Sequence, residues 1–310
     1  MTTENTFSVG LVQSACSTDP ETNILTALRG VRSAAERGAQ IVCLQELFAF
    51  QYFCQSEDVQ CFDLAESIPG PITDRCSALA LELGVVLIVP MFEKRAPGVF
   101  HNSAVVVDAN GDLLGSYRKM HIPDDPQFFE KFYFSPGDLG YRVFETQIAK
   151  LGVLICWDQW YPEAARLTAL KGAELIVCPS AIGWLPEDRG EQQQMQVEAW
   201  STVQRSHAIT NGVYVAVVNR VGLEGKPETG LQFWGQSFVC DPQGCVESVG
   251  SDRNDDVIVA SCSRSLLETQ RRNWPFLRDR SIESYTGIRA RYLEGQREGI
   301  DMVSRARGKK

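Results

Sequence analysis

Three side chains that could do chemistry stand at the ends of segments whose pattern is typical of strands. Glu46 ends "QIVCLQE", Lys119 ends "DLLGSYRK" and Cys156 ends "LGVLIC". Ligands of open α/β sheets bind beyond the carboxyl ends of the strands, so these positions favour a functional site. A carboxylate, an ammonium and a thiol together could move a proton, hold an oxyanion and attack a carbonyl carbon. The pattern therefore predicts acyl-transfer chemistry at Cys156.

The residues after Cys156 separate two interpretations of this cysteine. Free cysteine packs well in protein cores, and several of the ten cysteines lie in apolar runs. Cys156, however, is followed by Trp157 and Asp158 and by a helical segment that begins at Pro162. The chain must turn between strand and helix, which leaves backbone N–H groups free to face an anion. This context favours a nucleophile at a strand-to-helix turn over a core residue.

Other ionisable residues leave alternatives open. Histidine is the usual partner of a nucleophilic cysteine, and the chain has three histidines. His121 lies two residues after Lys119 and could face the same side, so a Cys–His pair is an alternative. His101 opens a strand and His207 lies in a helical pattern, which favours structural roles. Glu130, in the aromatic segment "FFEKFYF", is either a helix-surface acid or a second desolvated carboxylate.

The elements that must position these residues occur in an order that repeats. "FSVGLVQSA", "AQIVCLQEL" and "VVLIVPMFE" are typical of strands, and amphipathic helices lie between them. A hairpin follows, with Asn110-Gly111 at its turn. "GAQIVCLQE" resembles "GAELIVCPS", and "LGVVLIVP" resembles "NGVYVAVVN", at offsets of roughly 130 to 140 residues. Two βαβα halves that stack their free sheet faces predict a four-layer α-β-β-α sandwich, with a single doubly wound sheet as the alternative.

The segment after Cys262 differs from the rest of the chain. "RRNWPFLRDRSIESYTGIRARYLEG" has no strand periodicity. We therefore predict one domain over residues 1–263, and an arm over residues 264–310 that packs on the body or on a neighbouring subunit.

Composition argues against several classes of function. The net charge of -9 is unfavourable for a nucleic-acid binder. The sequence contains no Cys/His set with zinc spacing and no GxGxxG or GxxxxGK[ST] pattern, so neither a metal nor another cofactor is expected. We see no signal peptide and no apolar run long enough for a membrane span. A cytoplasmic protein with free thiols is predicted.

Three motifs carry a family resemblance. "LQELF" around Glu46, "YRKMHIP" around Lys119 and "GVLICWDQWYPEAAR" around Cys156 resemble the Glu-Lys-Cys triad of the nitrilase (carbon–nitrogen hydrolase) superfamily. The likeness extends from "FSVGLVQSA" to "VIVASCS". It implies the same α-β-β-α sandwich, a homo-oligomer of two or more subunits and no cofactor.

The resemblance also implies a role for each residue. Glu46 is then the general base, Cys156 the nucleophile and Lys119 the cation that steadies the tetrahedral intermediate. Glu130 corresponds to an assisting carboxylate, and the backbone N–H of Trp157 joins Lys119 in holding the oxyanion. The implied substrate is a small carbamoyl amine, processed through a thioester intermediate. A carbamoyl amino acid or an ω-amide is the alternative substrate, and a non-catalytic metabolite-binding member is the alternative class.

The loops beyond these strands contain the residues expected to contact the substrate. A carbamoyl diamine needs acids or aromatics for its ammonium, whereas a carbamoyl amino acid needs a cation for its carboxylate. Acidic and aromatic candidates predominate, although Arg189 is a counterargument. The predicted substrate contacts are Tyr52, Asp124, Asp125, Trp157 and Glu187, with Asp188 beside the last.

Overall fold

The computed structural model describes residues 5–294 of the chain. The strands are β1 (Thr6–Gln13), β2 (Ile41–Leu44), β3 (Val86–Ala96), β4 (Val99–Val107), β5 (Leu113–Arg118), β6 (Val143–Glu145), β7 (Lys150–Val153), β8 (Leu175–Ser180), β9 (Gly183–Trp184), β10 (Tyr214–Asn219), β11 (Val221–Glu224), β12 (Leu231–Trp234), β13 (Phe238–Cys240), β14 (Val246–Val249) and β15 (Asp256–Ser263). The α-helices are α1 (Pro20–Glu36), α2 (Pro71–Leu83), α3 (Glu130–Tyr133), α4 (Pro162–Leu170), α5 (Glu191–Asn211) and α6 (Arg264–Asn273).

The principal helices begin and end where local chemistry dictates. Helices α1, α2 and α4 each begin with proline, whose fixed φ suits the first helical position. Asp19 precedes α1, and its side chain accepts a hydrogen bond from the backbone N–H of Thr22. Gly84 ends α2 with a φ of 65°, a left-handed conformation that glycine adopts without strain.

Two six-stranded sheets have the same topology. The first has the order β15-β1-β2-β3-β4-β5, and the second, read from its other edge, has the order β6-β7-β8-β10-β13-β14. In each sheet the second, third and fourth strands are parallel, and the remaining neighbours are antiparallel. The strands align as the sequence repeat predicts. The four-layer sandwich of two similar halves is thereby confirmed, and a single doubly wound sheet is excluded.

Alternate residues of each strand face different layers. Val9 and Leu11 of β1 belong to the cluster that also contains Val153 and Val177 of the second sheet, so the two sheets pack face to face. Val12 points the other way and packs with the helices on the outer face of the first sheet. Strands covered on both sides are continuously apolar, as the "IVCL" of β2 is.

Strand β15 forms one edge of the first sheet, and helix α6 comes directly after it. Strand β15 pairs with β1 along the whole length of both strands, from Thr6 opposite Ser263 to Gln13 opposite Asp256. Helix α6 follows, and Arg271 ties it to the body through the backbone carbonyls of Gly212 and Ala173. Residues 295–310 of the predicted arm lie outside the described residues, so the arm from 264 to 310 stays a prediction.

None of the helices within residues 5–294 is both long and apolar enough to cross a bilayer. Within the same residues, no three His, Cys, Asp or Glu side chains are grouped in a way that could hold a metal ion.

Candidate active site

Four of the predicted residues meet at one place between the two sheets. Glu46 follows β2, Lys119 follows β5, Glu130 begins α3 and Cys156 begins a 3-10 helix, Cys156–Trp160, after β7. The ammonium Nζ of Lys119 lies 2.8 Å from Glu46 Oε1, and 2.9 and 2.7 Å from the two carboxylate oxygens of Glu130. All four side chains are buried. The first half of the chain supplies both carboxylates and the ammonium, and the second half supplies the thiol.

Asn102 completes the coordination of Glu46. Its amide Nδ2 donates to Glu46 Oε1 at 2.7 Å, so this oxygen accepts from both Asn102 and Lys119. The other oxygen, Glu46 Oε2, is buried and has no hydrogen-bond partner within the part of the chain that the structure describes. One oxygen is therefore fixed, and the other is available to accept a proton. The sequence signal for Asn102 was its place opposite Lys119 in the hairpin, within the polar part of β4 that precedes its apolar end.

Tyr52 forms a hydrogen bond with Glu130. Its hydroxyl donates to Glu130 Oε1 at 2.7 Å. Burial, reinforced by the Glu130 carboxylate, raises the pKa of the Tyr52 phenol well above its usual range, so the phenol keeps its proton. Tyr52 was predicted as a substrate contact, but it does not line the cavity beside Cys156. Its contacts place it as a positioning residue for Glu130.

The charges at this place favour a protonated lysine between the two carboxyl groups. Burial alone would lower the pKa of Lys119, but the neighbouring Glu130 and Glu46 carboxylates hold it well above its ordinary value. Burial raises the pKa of the Glu130 carboxyl, the Lys119 ammonium opposes this rise, and Glu46 adds to it. Lys119 thus remains an ammonium, able to donate to an oxyanion throughout a reaction.

Cys156 occupies a strained turn and is a neutral thiol at rest. Its φ of 43° lies in the left-handed region, which a non-glycine residue adopts at a cost of about 1–3 kcal/mol. Burial raises the pKa of the thiol well above its ordinary value, and Glu46 adds to the rise, whereas Lys119 and a backbone hydrogen bond from Ala181 oppose it. A neutral thiol needs a base to become a nucleophile, and Glu46 is the adjacent carboxylate with a free oxygen.

Asp158 braces the turn that carries Cys156. Its buried carboxylate accepts from the Tyr117 hydroxyl at 2.7 Å and from the backbone N–H of Ile155 at 3.1 Å. Its other oxygen lies 2.9 Å from the backbone nitrogen of His121 and 2.7 Å from the ring Nδ1 of the same residue. The His121 ring also stacks on Tyr161. His121 is therefore engaged by Asp158, which leaves the Cys–His alternative without structural support.

Gln159 anchors the same turn to helix α5, and sequence reasoning missed it. Its side-chain oxygen accepts from Trp200 Nε1 at 2.7 Å and from the Gln204 amide. Its backbone oxygen lies 2.7 Å from His207 Nε2. Burial lowers the pKa of His207, in keeping with a neutral ring that donates a hydrogen bond. His207 thus has the structural role that its helical context predicts.

A cavity of about 370 Å³ opens in front of Cys156 and Glu130. Its walls are largely apolar, and the aromatic side chains among its lining residues are Phe128, Trp157, Trp160 and Trp234. The indole N–H groups of Trp160 and Trp234 are buried and have no hydrogen-bond partner among the described residues. A larger open groove of about 660 Å³ runs along α5, but none of the four central residues lines it. The cavity at Cys156 is therefore the candidate substrate site.

The ionisable residues of this cavity lining are acids. Besides Cys156 and Glu130 they are Asp125 and Asp188, and no arginine or lysine is among the lining residues of the described chain. Asp188 is buried, and one of its carboxylate oxygens accepts from the backbone N–H of Leu185 at 2.9 Å. Of the predicted contacts, Asp125 and Trp157 line the cavity, whereas Asp124 and Glu187 do not. The exposed Arg189 donates to the backbone carbonyl of Asp188 and does not line the cavity either.

The profile of the carbon-nitrogen hydrolase family matches residues 8–272 of the chain. The chain belongs to this family. It is 43% identical to an N-carbamoylputrescine amidase of Solanum lycopersicum over 90% of this chain and 93% of that protein. It is 37% identical to a citrullinase of Francisella tularensis over 92% and 99% of the two chains.

A solved structure agrees with this assignment. A carbon-nitrogen hydrolase from Helicobacter pylori G27 superimposes with a TM-score of 0.89 at 46% identity, covering 93% of this chain and 99% of that one. The carbon-nitrogen hydrolase described here is thus an enzyme that acts on carbon–nitrogen bonds of small molecules.

Proposed function

We propose that this hydrolase cleaves N-carbamoylputrescine to putrescine, carbon dioxide and ammonia, with Cys156 as nucleophile. The observation that carries the proposal is the lining of the cavity at Cys156. It combines the thiol and Glu130 with aromatic walls and two further acids, Asp125 and Asp188, and has no arginine or lysine among its described residues. A cationic substrate tail suits such a lining. Relatives 43% identical to the chain are N-carbamoylputrescine amidases.

The first half of the reaction forms an enzyme-bound thioester. Glu46 Oε2 takes the proton of the Cys156 thiol, and the sulfur attacks the ureido carbon of the substrate. The oxygen of that carbon becomes an oxyanion, which Lys119 Nζ and the backbone N–H of Trp157 hold. The tetrahedral intermediate collapses when its C–NH₂ bond breaks, and protonated Glu46 returns the proton so that ammonia leaves. Cys156 is left bonded to the carbonyl carbon of the remaining carbamoyl group.

The second half releases the product by hydrolysis. Glu46 takes a proton from a water molecule, whose oxygen attacks the thioester carbon. The C–S bond breaks, Glu46 returns the proton to the sulfur, and a carbamate leaves. The carbamate then decomposes to carbon dioxide and the free amine of putrescine. Throughout both halves Lys119 stays protonated, because the Glu130 carboxylate, the largest influence that raises its pKa, remains beside it while Glu46 carries the proton.

The hydrogen bonds of Glu46 determine which of its two carboxylate oxygens transfers the proton. Asn102 and Lys119 hold one carboxylate oxygen, so the other points in a fixed direction for both proton transfers. Glu130 accepts two bonds from Lys119 and thereby aims the ammonium. The same carboxylate also lines the cavity, where it can contact the ureido nitrogen.

The substrate tail distinguishes this proposal from its alternative. Asp188 and Asp125 are the acids available for the ammonium of a carbamoyl diamine, and the aromatic walls suit its four methylenes. A carbamoyl amino acid such as N-carbamoyl-β-alanine, or an ω-amide with a carboxylate end, would place its anion against these acids. Like charges at short range in a desolvated cavity oppose binding strongly.

A substrate panel tests the proposal directly. Ammonia release is measured with N-carbamoylputrescine, citrulline, N-carbamoyl-β-alanine and the neutral analogue N-butylurea. We expect kcat/KM for N-carbamoylputrescine to exceed that for either carbamoyl acid by at least about 10³-fold. A carbamoyl acid would place its carboxylate opposite the buried carboxylate of the cavity. Faster turnover of a carbamoyl acid would contradict the proposed substrate.

The same panel applied to one matched pair of variants assigns the tail contact. Asp188→Asn keeps an oxygen for the Leu185 N–H but removes the charge. It should lower kcat/KM for N-carbamoylputrescine by about 10–100-fold through KM, the range of a charge-assisted hydrogen bond. N-butylurea has no ammonium, so its turnover should not change. Glu187→Gln, one residue away and outside the cavity lining, is the control.

We also propose that the enzyme is a cytoplasmic homo-oligomer. Several large apolar side chains lie exposed on the segment after α6, and such surface favours subunit contact. These side chains include Trp274, Phe276, Ile282 and Ile288. Size-exclusion chromatography with light scattering tests the assembly, and a mass of 34.5 kDa, that of one chain, would contradict it.

A further inference from the structure

A second buried ion pair contacts the backbone of the segment that follows β2 and contains Glu46 and Tyr52. Arg220 follows β10 and Glu224 ends β11, and the guanidinium Nη1 is 2.6 Å from Glu224 Oε1. The two side chains are 0% and 1% exposed. A fully buried ion pair is a poor source of stability, since the desolvation of its charges offsets their attraction. Moreover, Arg220 Nε has no hydrogen-bond partner among the described residues, which adds to this cost.

The other N–H groups of Arg220 hold the turn that carries Glu46. Nη2 donates to the backbone carbonyls of Glu46 at 2.9 Å and Leu47 at 3.0 Å, and Nη1 donates to that of Phe50 at 2.8 Å. Leu47 has a φ of 50°, a left-handed conformation that a branched side chain rarely adopts. The guanidinium thus stabilises an unfavourable turn directly after Glu46.

Glu224 extends the same support to Glu130. Its second oxygen, Oε2, accepts from the backbone N–H of Tyr52 at 2.5 Å. The hydroxyl of Tyr52 donates to Glu130 Oε1. One ion pair is therefore connected to both carboxylates that flank Lys119, to Glu46 through the backbone and to Glu130 through Tyr52.

We propose that Arg220 and Glu224 are positioning residues that aim Glu46 and Glu130 across the boundary between the two halves. The inference rests on the proposed roles of Glu46 and Glu130 in proton transfer. Neither Arg220 nor Glu224 lines the cavity at Cys156, so both act through other residues. Displacing a reacting group by about 1 Å can lower a rate by about 10²-fold, which sets the expected scale of the effect.

The test uses Arg220→Lys, which keeps the charge opposite Glu224. A lysine ammonium lacks the planar fork, so it cannot bond the carbonyls of Glu46, Leu47 and Phe50 together with Glu224. We expect kcat for ammonia release to fall about 10–100-fold, with KM within about twofold of the parent value because the cavity lining is intact. Parental kcat in a folded Arg220→Lys protein would overturn the proposal.

A double-mutant cycle separates positioning from general damage. If Arg220 acts through the Glu46 carboxylate, Arg220→Lys should cost little more in a Glu46→Gln background. An equal fold-loss in both backgrounds would indicate a structural role and overturn the proposal. Arg118→Lys is the matched control, since Arg118 also forms a buried pair, with Glu93 at 2.5 Å, but contacts neither Glu46 nor Glu130. It should keep the parental kcat.

A second readout is independent of the substrate. Alkylation of Cys156 by iodoacetamide, followed by mass spectrometry of its peptide, reports how readily Glu46 takes the thiol proton. Arg220→Lys should slow this alkylation about as much as it slows kcat, and the slowing should vanish in the Glu46→Gln background. If N-carbamoylputrescine is not hydrolysed at all, the proposed function fails, while the alkylation cycle still decides the role of Arg220.

A neutral variant keeps the inference testable if Arg220→Lys does not fold. Arg220→Met with Glu224→Gln removes both charges and leaves no buried ion unpaired, so the fold should persist. Its alkylation rate at Cys156 should be at least as slow as that of Arg220→Lys. A folded neutral variant that is alkylated at the parental rate would overturn the proposal.

Discussion

Cys156→Ala should reduce ammonia release from N-carbamoylputrescine by at least about 10⁴-fold, the scale seen when a covalent nucleophile is removed. The loss is expected in kcat, because Cys156 is the one thiol among the described residues that line the cavity, and a thioester needs a thiol. Alanine keeps the Cβ of cysteine and meets the same backbone strain at a φ of 43°, so the fold should be retained. Steady-state kinetics and thermal unfolding of the purified variant measure both effects.

The control for this prediction is a second thiol. Cys245 is exposed and lies outside the cavity lining, so Cys245→Ala should keep the parental rate. Mass spectrometry of the parent enzyme, quenched during turnover, should find the carbamoyl adduct on Cys156 alone. A Cys156→Ala protein that releases ammonia at the parental rate would refute the thioester mechanism.

Lys119→Met should remove activity and also destabilise the fold. The oxyanion loses its ammonium, and Glu46 and Glu130 lose the cation to which both are bonded. Removing one partner of a buried ion pair costs about 3–5 kcal/mol of unfolding free energy. Loss of the oxyanion donor alone should lower kcat by about 10²–10³-fold. Urea unfolding and ammonia release measure the two effects.

The stability loss in Lys119→Met should depend on pH in a defined direction. Burial already raises the Glu130 pKa, and Lys119 is the main group that opposes this rise. Without Lys119 this pKa rises further above its value in the unfolded chain, so the folded state binds the proton more tightly. Its contribution to stability is then present at low pH and lost as the pH rises through the folded-state pKa. The deficit relative to the parent should be larger at pH 8 than at pH 5.

A second substitution isolates the cause of this instability. Glu130→Gln in the Lys119→Met background removes one of the two buried carboxylates that have lost their cation. It should therefore recover part of the unfolding free energy. It should not recover ammonia release, because the oxyanion donor is still missing. A deficit in Lys119→Met that is equal at pH 5 and pH 8 would mean that buried carboxylate charge is not its source.

The sequence predicts the fold and the central residues because both depend on strong local patterns. Apolar runs locate the strands, and their repetition indicates that two sheets share one topology. Glu46, Lys119 and Cys156 each follow a predicted strand, so the position of each follows from strand ends alone. Helix α4 and its proline likewise indicate where the turn at Cys156 must stop.

The supporting residues depend on long-range geometry that periodicity does not encode. Arg220 contacts Glu46 across 174 residues of sequence, and no local pattern connects them. Glu187 and Asp188 are neighbours in a loop, and only the structure shows that Asp188 is buried and accepts from the Leu185 N–H whereas Glu187 is exposed. Asn102, and the role of Tyr52 as a support for Glu130, became apparent only once the hydrogen-bond partners of Glu46 and Glu130 were located.

The pairing of β1 with β15 also has a consequence for biosynthesis. Strand β1 pairs with β15, which lies more than two hundred residues later in the chain. Closing so long a loop is a slow, non-local folding step. On the ribosome, the sheet that carries Glu46 and Lys119 therefore keeps one open edge until residue 263 has emerged. Glu46, Lys119 and Cys156 are all translated well before that moment, so the nascent chain holds the three reactive groups before it holds a finished enzyme.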